Sequence, residues 1–418
     1  MNKNREILVY ADWEILEKPQ LIGTLFSSFS RGKEIFSFEY DQQWLQSPFV
    51  QEIDPDLGLF SGIQYLRDEK NNFGAFLDSS PDRWGRVLMD RREAILTRME
   101  NRPYHNLNES DYLLGVFDEQ RMGALRFKET DTGVFMNDNR NFATPPWTSI
   151  RELEQASYQL ENDLIDDSEI LKWLYILLAP GSSLGGARPK AGVKNSDGAL
   201  WIAKFPSMND KFDVGAWEMV INELAQTAGL NVPQATARQF YGKHHTFLTK
   251  RFDRTASGKR LHFASAMTLL GYTDGVSFQE GASYLELAEF IIRKGSNVNQ
   301  DLEELFRRIV FSICVSNTDD HLRNHGFLLT KEGWTLSPAY DMNPNPKGTG
   351  LKLNISTNDN SLDLNLAMEV VPFFRLDEKR ASDIVQNILS VVSEWKQIAT
   401  KYKISKNEQD LMKSAFRV

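Results

Sequence analysis

The feature that most constrains this chain is a helical pattern that ends in a dense polar segment. Residues 301–316 carry apolar side chains at helical spacing, which predicts a helix with one buried face. The apolar positions of that face are Leu302, Leu305, Phe306, Ile309, Val310 and Ile313. The following residues, 317–326, contain two aspartates, two asparagines and two histidines. We therefore expect a polar loop at the end of a buried helix.

The pattern of predicted elements changes along the chain. The first hundred residues favour short strands at 7–10, 21–26 and 34–40, which are rich in aliphatic and aromatic residues. The middle mixes helices and strands, and the pattern beyond residue 260 is mostly helical. This order predicts an α+β fold. We expect three regions, at 1–145, 146–258 and 259–418. A polar linker near Pro145-Pro146 separates the first two.

Composition excludes several classes of protein. The sequence has 418 residues and a formal net charge of −9, so bulk charge does not favour binding to nucleic acid. No apolar run approaches the length of a membrane span, and the start lacks the apolar region of a secretory signal. Cys314 is the single cysteine, so no intrachain disulfide can form. We expect a cytoplasmic protein.

The polar segment contains residues that suit phosphoryl transfer. Asp319 and Asn324 lie five positions apart, and Asp341 follows a predicted hairpin with strands at 327–329 and 334–336. Transfer from ATP uses one aspartate to orient the hydroxyl, and an asparagine and a second aspartate to bind magnesium. A spacing of five between Asp and Asn is common by chance in polar loops. Its placement between a buried helix and a hairpin that leads to Asp341 favours the kinase interpretation.

A lysine on an apolar strand supports the same interpretation. Lys204 shares a strand face with Leu200 and Ile202, so it either reaches solvent from a sheet edge or binds an anion. In kinases such a lysine binds the α- and β-phosphates and pairs with a helix glutamate. Glu218, on a predicted helix at 213–228, is the candidate partner, and a surface position is the alternative.

A glycine-rich loop precedes that strand. Gly181, Gly185 and Gly186 would let backbone amides approach phosphates, although the spacing matches neither a Walker loop nor the dinucleotide fingerprint. A flexible connector is the alternative. Two cations, Arg188 and Lys190, follow the glycines.

Other polar clusters admit different interpretations. Asp319, Asp320, His321 and His325 could bind a transition metal in a phosphoesterase, although no second cluster of similar density accompanies them. The stretch Arg251-Phe252-Asp253-Arg254 is most simply a solvated charged turn. Cys314 lies in the apolar helix and is interpreted as a small core residue.

Together these motifs resemble the HipA family of serine/threonine-protein kinase toxins of bacterial type II toxin–antitoxin systems. The stretches that carry the resemblance are Ser183-Leu184-Gly185-Gly186-Ala187-Arg188-Pro189-Lys190, Trp201-Ile202-Ala203-Lys204-Phe205-Pro206, Lys250-Arg251-Phe252-Asp253-Arg254, Thr318-Asp319-Asp320-His321-Leu322-Arg323-Asn324 and Ser337-Pro338-Ala339-Tyr340-Asp341. Pro81-Asp82-Arg83-Trp84-Gly85-Arg86 and Tyr112-Leu113-Leu114-Gly115-Val116 extend it to the amino-terminal half. The set, in this order, is highly specific.

The resemblance implies a two-lobed kinase-like fold, with a strand-rich α+β amino-terminal lobe and an all-helical carboxy-terminal lobe. It implies that ATP and Mg²⁺ are cofactors. It assigns the following roles: Asp319 as catalytic base, His321 as support of the catalytic loop, Asn324 and Asp341 as magnesium ligands, Lys204 and Glu218 with the glycine loop at the phosphates, backbone groups of Lys250 and Phe252 at the adenine, and Ser183 as the autophosphorylated serine, with Ser182 beside it.

The resemblance also implies partners. Similar proteins phosphorylate aminoacyl-tRNA synthetases, glutamyl-tRNA synthetase being the best known, and so arrest translation and growth. A small helix-turn-helix antitoxin (HipB-like) neutralises them and binds operator DNA, and this would bring an acidic chain to DNA. Two alternatives remain open at this point: a catalytically idle corepressor subunit of an antitoxin–DNA complex, and a metal-dependent phosphoesterase.

Overall fold

The computed structural model describes residues 4–67, 70–138, 144–161, 170–171, 173–174, 177, 186 and 188–418. Within these residues the strands are β1 (Arg5–Ala11), β2 (Gln20–Ser30), β3 (Lys33–Tyr40), β4 (Gln64–Tyr65), β5 (Leu125–Lys128), β6 (Lys190–Lys194), β7 (Leu200–Lys204), β8 (Ala235–Arg238), β9 (Thr246–Lys250), β10 (Phe263–Ser265), β11 (Gly326–Leu329) and β12 (Trp334–Leu336). The helices are α1 (Gln42–Leu45), α2 (Gly74–Asp78), α3 (Arg83–Met99), α4 (Glu109–Gly115), α5 (Ile150–Glu161), α6 (Val214–Thr227), α7 (Ala266–Leu269), α8 (Tyr284–Lys294), α9 (Val298–Val315), α10 (Leu364–Glu369), α11 (Glu378–Ser393), α12 (Trp395–Lys401) and α13 (Lys406–Met412). The predicted α+β class is confirmed.

The chain forms two compact units. The first contains Met1–Met208 with Asp253–Ala264, and the second contains Asn209–Phe252 with Ser265–Val418. Each unit therefore consists of two separate stretches of the sequence. The three predicted regions, with boundaries at 145/146 and 258/259, stay a prediction.

An antiparallel sheet forms much of the first unit. Its strand order is β4-β3-β2-β1-β5, and the three strands predicted at the start of the sequence are confirmed as β1, β2 and β3. Aromatic side chains of the sheet and of α2 pack in the core, among them Phe38 and Phe76, whose ring centroids lie 5.6 Å apart. Arg31 and Gly32 both have positive φ, which suits the tight turn between β2 and β3.

The hairpin of β6 and β7 is joined to α3 by a buried ion pair. The Nζ of Lys190 lies 2.6 Å from Oδ2 of Asp82, and the two side chains are 1% and 0% exposed. Oδ1 of Asp82 accepts a hydrogen bond from the Gly85 amide and so caps α3. The Trp84 indole donates to the Lys190 carbonyl. Two motifs that are far apart in the sequence therefore meet at one buried site.

This contact determines the surroundings of Lys190, one of the two cations that follow the glycines. Lys190 is not a surface cation available to a phosphate on the glycine loop, because its ammonium is buried against Asp82. The same ammonium also donates to the carbonyl of Gly186, 3.1 Å away, and so fixes the end of the loop.

The charged stretch at 251–254 is also buried, so the prediction of a solvated turn is wrong. Arg251 is 3% exposed and Asp253 is fully buried. In the first unit, the Asp253 carboxylate accepts hydrogen bonds from the Gly123 amide and from Arg254. Burial is tolerated here because the carboxylate has both a cation and an amide donor.

The second unit is mostly helical and contains the hairpin of β11 and β12. The predicted helices at 213–228 and 301–316 are confirmed as α6 and α9, and α8 lies in the region beyond residue 260 that was expected to be mostly helical. Asp213 caps α6, and Ser283 with Glu286 forms a capping box on α8. Residues from every face of α9 are buried, so this helix is the core of the unit. Burial raises the pKa of the Cys314 thiol to about 12, as fits a core residue.

None of the helices in the described part of the chain has the length and apolar composition needed to cross a membrane.

We predict that Lys190→Met destabilises the β6–β7 hairpin and α3 by about 3–5 kcal/mol, because it leaves the Asp82 carboxylate buried without a cation. Native-state hydrogen exchange of the amides in β6 and α3 measures this free energy. The matched control is Arg293→Met, which breaks an exposed pair with Glu289 on α8 and should cost about 0–1 kcal/mol. Equal effects of the two variants would contradict the prediction.

Candidate active site

The polar loop begins where α9 ends in a left-handed residue. Ser316 has φ 50° and ψ 48°, and its amide donates back to carbonyls of the last turn of the helix. The Asn317 amide donates to the Ser312 carbonyl at 2.9 Å. These bonds satisfy carbonyls at the end of the helix and fix the direction in which the chain leaves it. The buried helix therefore determines where the loop starts.

Within the loop, the backbone of Asp319 is held while its side chain is exposed. The Asp319 carbonyl accepts hydrogen bonds from the Asn324 side-chain amide at 3.0 Å and from the His321 amide at 2.9 Å. Asn324 is buried, and Asp319 is exposed. The arrangement leaves a carboxylate at the surface on a fixed backbone. Because Asn324 uses its nitrogen for this bond, its side-chain oxygen is the atom it can offer to a cation.

Asp320 anchors the loop through contacts with Tyr284, the first residue of α8, and with His325. Its Oδ2 accepts a 2.6 Å hydrogen bond from the Tyr284 hydroxyl, and its Oδ1 lies 3.1 Å from Nε2 of His325. Burial alone would raise the pKa of this carboxyl, but His325 and the Tyr284 hydroxyl outweigh burial and lower it. Asp320 and His325 therefore form a buried structural pair. No cluster of three or more His, Cys, Asp and Glu residues that could hold a metal ion occurs among the described residues.

The opposite end of α9 holds the strand that leads to Asp341. The Asp301 carboxylate accepts hydrogen bonds from the Leu336 amide at 2.9 Å and from the Thr335 hydroxyl. About two turns further along the helix, Arg308 donates from Nη2 to the Ser337 carbonyl at 2.6 Å. The helix thus fixes β12 and the residue that follows it.

A second chain of contacts continues from α9 toward Asp341. Glu304 accepts from Arg308 on the same helix and from the backbone amide of Asn231. The Asn231 carbonyl in turn accepts from the Ala339 amide at 2.8 Å. The segment before Asp341 is therefore attached at two points that both depend on α9.

Asp341 lies between two bonds that join its segment to the polar loop. On one side, the Tyr340 hydroxyl donates to the Arg323 carbonyl at 2.7 Å. On the other, the Asn343 amide donates to Oδ1 of Asn317 at 3.1 Å. Asp341 itself has φ 58°, in the left-handed region that is costly for a residue with a side chain. Strain held between two fixed points is a feature of functional sites.

The predicted site residues of the second unit form two groups, of which the first comprises the polar loop and Asp341. Asn324 and Asp341 supply an amide oxygen and a carboxylate oxygen, the hard ligands that suit magnesium, and Asp319 adds an exposed carboxylate. His321 is half-buried in the same loop, and its Nδ1 has no hydrogen-bond partner among the described residues. In the sequence these residues lie in the polar loop and in the segment after β12. The hydrogen bonds of Tyr340 and Asn343 join these two segments.

The remaining predicted residues of this unit lie near β9 and on α6. Glu218 is 4% exposed, so the alternative of a surface glutamate is wrong. The Lys250 amide, at the end of β9, donates to the Gln234 carbonyl at 2.8 Å. The ring of Phe252 lies 5.5 Å from the ring of Tyr340, centroid to centroid. Tyr340 therefore contacts both the segment after β9 and the polar loop.

The first unit contains the other residues predicted to lie at the phosphates, Lys204 and the glycine loop. Lys204 ends β7 and is half-buried, on the strand face of the buried side chains of Leu200 and Ile202, as predicted. Gly186 has φ 68°, a conformation that favours glycine. Gly185 and Ser183 lie outside the described residues, as does Ser182.

Four residues of the site were missed by sequence reasoning. Tyr284 and Asn317 hold the loop, and Tyr340 and Asn343 hold Asp341. Asn317 and Tyr340 lie within or beside the quoted motifs, so their position was a usable signal. Tyr284 lies 36 residues before Asp320 on another helix, and nothing local in the sequence marks it.

Known proteins are similar to this chain in the part that contains the polar loop and Asp341. A family model described as the HipA-like C-terminal domain matches residues 182–395, just over half of the chain. A putative kinase of Haemophilus influenzae is 30% identical over 179 residues, which cover 38% of this chain and 52% of that protein. This chain therefore spans about half the length of that relative. The serine/threonine-protein kinase toxin HipA of Shewanella oneidensis is 23% identical over 357 residues, covering 77% of this chain and 72% of that protein.

A solved structure shows the same fold. A chain of the Shewanella oneidensis MR-1 complex of HipA, HipB and operator DNA matches with a TM-score of 0.66 and 17% sequence identity. The match covers 98% of this chain and 94% of that chain. The predicted kinase-like fold of HipA proteins is thereby confirmed. Because the family model covers more than half of the sequence, and its residues include the polar loop and Asp341, the chain belongs to the HipA-like C-terminal domain family.

Proposed function

We propose that this protein is an ATP- and Mg²⁺-dependent serine/threonine protein kinase and the toxin of a toxin–antitoxin system. The observation that carries the proposal is the joined pair of segments in the second unit. They hold an exposed Asp319, the oxygen of Asn324 and a strained Asp341 in one network of hydrogen bonds. The names of the Haemophilus and Shewanella relatives support the kinase class.

In the proposed reaction, Asp319 orients the substrate hydroxyl and accepts its proton. The hydroxyl oxygen forms a bond to the γ-phosphorus of ATP while the bond from that phosphorus to the leaving ADP oxygen breaks. The hydrogen bonds to the Asp319 carbonyl fix the backbone that carries the carboxylate, so only its side-chain torsions are left to be ordered for the reaction. His321 supports the backbone turn that carries it.

Asn324 and Asp341 would hold the magnesium ion, which supplies charge neutralisation at the phosphates when bound. Lys204 would bind the α- and β-phosphates, with Glu218 as its candidate partner, and Gly185 and Gly186 belong to the loop that we propose to cover them. Backbone groups of Lys250 and Phe252 would hold the adenine.

We further propose that the protein substrate is an aminoacyl-tRNA synthetase, glutamyl-tRNA synthetase being the first candidate. The neutralising partner is a helix-turn-helix antitoxin of the HipB type. A net charge of −9 argues that contact with operator DNA occurs mainly through that partner. The Shewanella structure, which contains HipA, HipB and operator DNA, supports such an assembly.

Autophosphorylation of Ser183 is the proposed regulation. A phosphate there adds about −1.5 to −2 charge and repels the phosphates of incoming ATP. Mass spectrometry after incubation with ATP tests the site, and phosphate on Ser182 alone would contradict it.

We predict that Asp319→Asn lowers phosphate transfer by at least about 100-fold, because the general base is lost. Nucleotide affinity and thermal stability should stay at parent values, since Asp319 is exposed and its backbone bonds do not involve the carboxylate. The measurement is transfer from labelled ATP with magnesium to the protein itself and to glutamyl-tRNA synthetase. Asp383→Asn, which changes an exposed aspartate on α11, is the control.

The parent protein in the same assay separates the competing functions. Label on protein supports the kinase. Binding of an antitoxin–operator complex with no label on any protein identifies the idle corepressor, and release of phosphate from phosphoesters without ATP identifies the phosphoesterase.

We predict that Asp341→Asn weakens magnesium-dependent ATP binding by at least about tenfold, because one carboxylate ligand is lost. Asparagine is chosen because it tolerates the left-handed backbone of this position, so the variant should fold. Titration calorimetry with ATP in the presence and absence of magnesium measures the effect. Unchanged magnesium-dependent affinity would remove Asp341 from the proposed site.

A further inference from the structure

The segment 414–417 contacts the loops on both sides of the candidate site. Arg417 donates from its backbone amide to the Cys314 carbonyl at 2.8 Å, near the end of α9. Its guanidinium donates from Nε to the Ser316 hydroxyl at 3.0 Å and from Nη2 to the Gly348 carbonyl at 3.2 Å. One side chain therefore joins the residue that starts the polar loop to a residue shortly after Asp341.

The segment that follows Asp341 lies between the polar loop and residues 414–417. Asn345 donates from its backbone to the Ser316 carbonyl and from its side chain to the Thr318 hydroxyl. Gly348 approaches Thr318 so closely that an added Cβ would lie 2.3 Å from a methyl carbon of that threonine. From the other side, the Ser414 hydroxyl donates to the Pro346 carbonyl at 2.8 Å.

The 414–417 segment has an anchor that does not depend on Arg417. The ring of Phe416 stacks on Trp395 with centroids 4.3 Å apart and also contacts Trp217. The Trp217 indole donates to Glu408 on α13. Replacement of the exposed Arg417 side chain should therefore leave the segment in place, and its effect on the loops can be measured separately from folding.

We propose that Arg417 is a positioning residue that sets the spacing between the loop of Asp319 and the loop of Asp341. The inference rests on the proposed kinase function. A planar guanidinium suits this task because it donates in two fixed directions, here to Ser316 and Gly348. Its positive charge also lies at the carboxy-terminal end of an 18-residue helix, where a cation is favoured.

The test uses three variants of the full chain. Arg417→Met keeps the aliphatic stem and removes every side-chain donor. Arg417→Lys keeps the charge near the helix end but replaces the planar fork by one ammonium. Lys413→Met is the matched control, since it removes an exposed cation of the same region.

The first measurement is hydrogen exchange, which does not require catalysis. We expect Arg417→Met to speed exchange of the amides in 316–324 and 343–348, while α11 exchanges at the parent rate. Equal exchange in the Arg417→Met and Lys413→Met proteins would overturn the proposal. This readout holds even if the parent transfers no phosphate, an outcome that would count against the proposed function instead.

The second measurement separates positioning from a general loss of stability. If the parent is active, we expect kcat to fall about tenfold in Arg417→Met, with the KM for ATP changed less than about twofold, because misplaced catalytic groups slow the chemical step. Arg417→Lys should keep the thermal stability of the parent but not its kcat. Full recovery of kcat by lysine would mean that charge at the helix end suffices, and it would refute positioning by the two-directional donor.

Discussion

The candidate site depends on one buried helix, α9, which is used at both ends. Its carboxy-terminal end sets the start of the polar loop, and its polar residues Asp301 and Arg308 hold the strand that leads to Asp341. Polar groups buried on a helix are costly unless they are hydrogen-bonded, so these contacts resist a shift of the helix relative to β12. The spacing between the two halves of the site is therefore a property of the core of the second unit.

Much of the local structure could be predicted from periodicity and turn residues. The hairpin strands at 327–329 and 334–336 agree with β11 and β12 to within one residue, because alternation and a glycine turn at Gly333 specify them. The order of Asp319, Asn324 and Asp341 along the sequence also predicts the polar loop and the segment after β12 that leads to Asp341. Chemistry that depends on residues close in sequence is readable from one chain.

Contacts between distant residues could not be predicted in the same way. Lys190 and Asp82 are 108 residues apart, and each alone has the pattern of a surface charge. Arg251 was assigned to a solvated turn for the same reason, since charge usually indicates exposure. The left-handed backbone of Asp341 has no sequence signal either, because it is imposed by bonds on both sides. In each case the tertiary environment overrides the usual preference of the residue.

The position of the single cysteine has a practical consequence. Cys314 is fully buried two residues before Ser316, so its thiol can meet a reagent only when the end of α9 opens. Its raised pKa makes the thiolate scarce at neutral pH, which slows modification further. The rate at which a reagent labels Cys314 therefore reports how often the structure opens at the base of the polar loop. An introduced surface cysteine would react with a dye long before Cys314 does, so the native residue need not be removed.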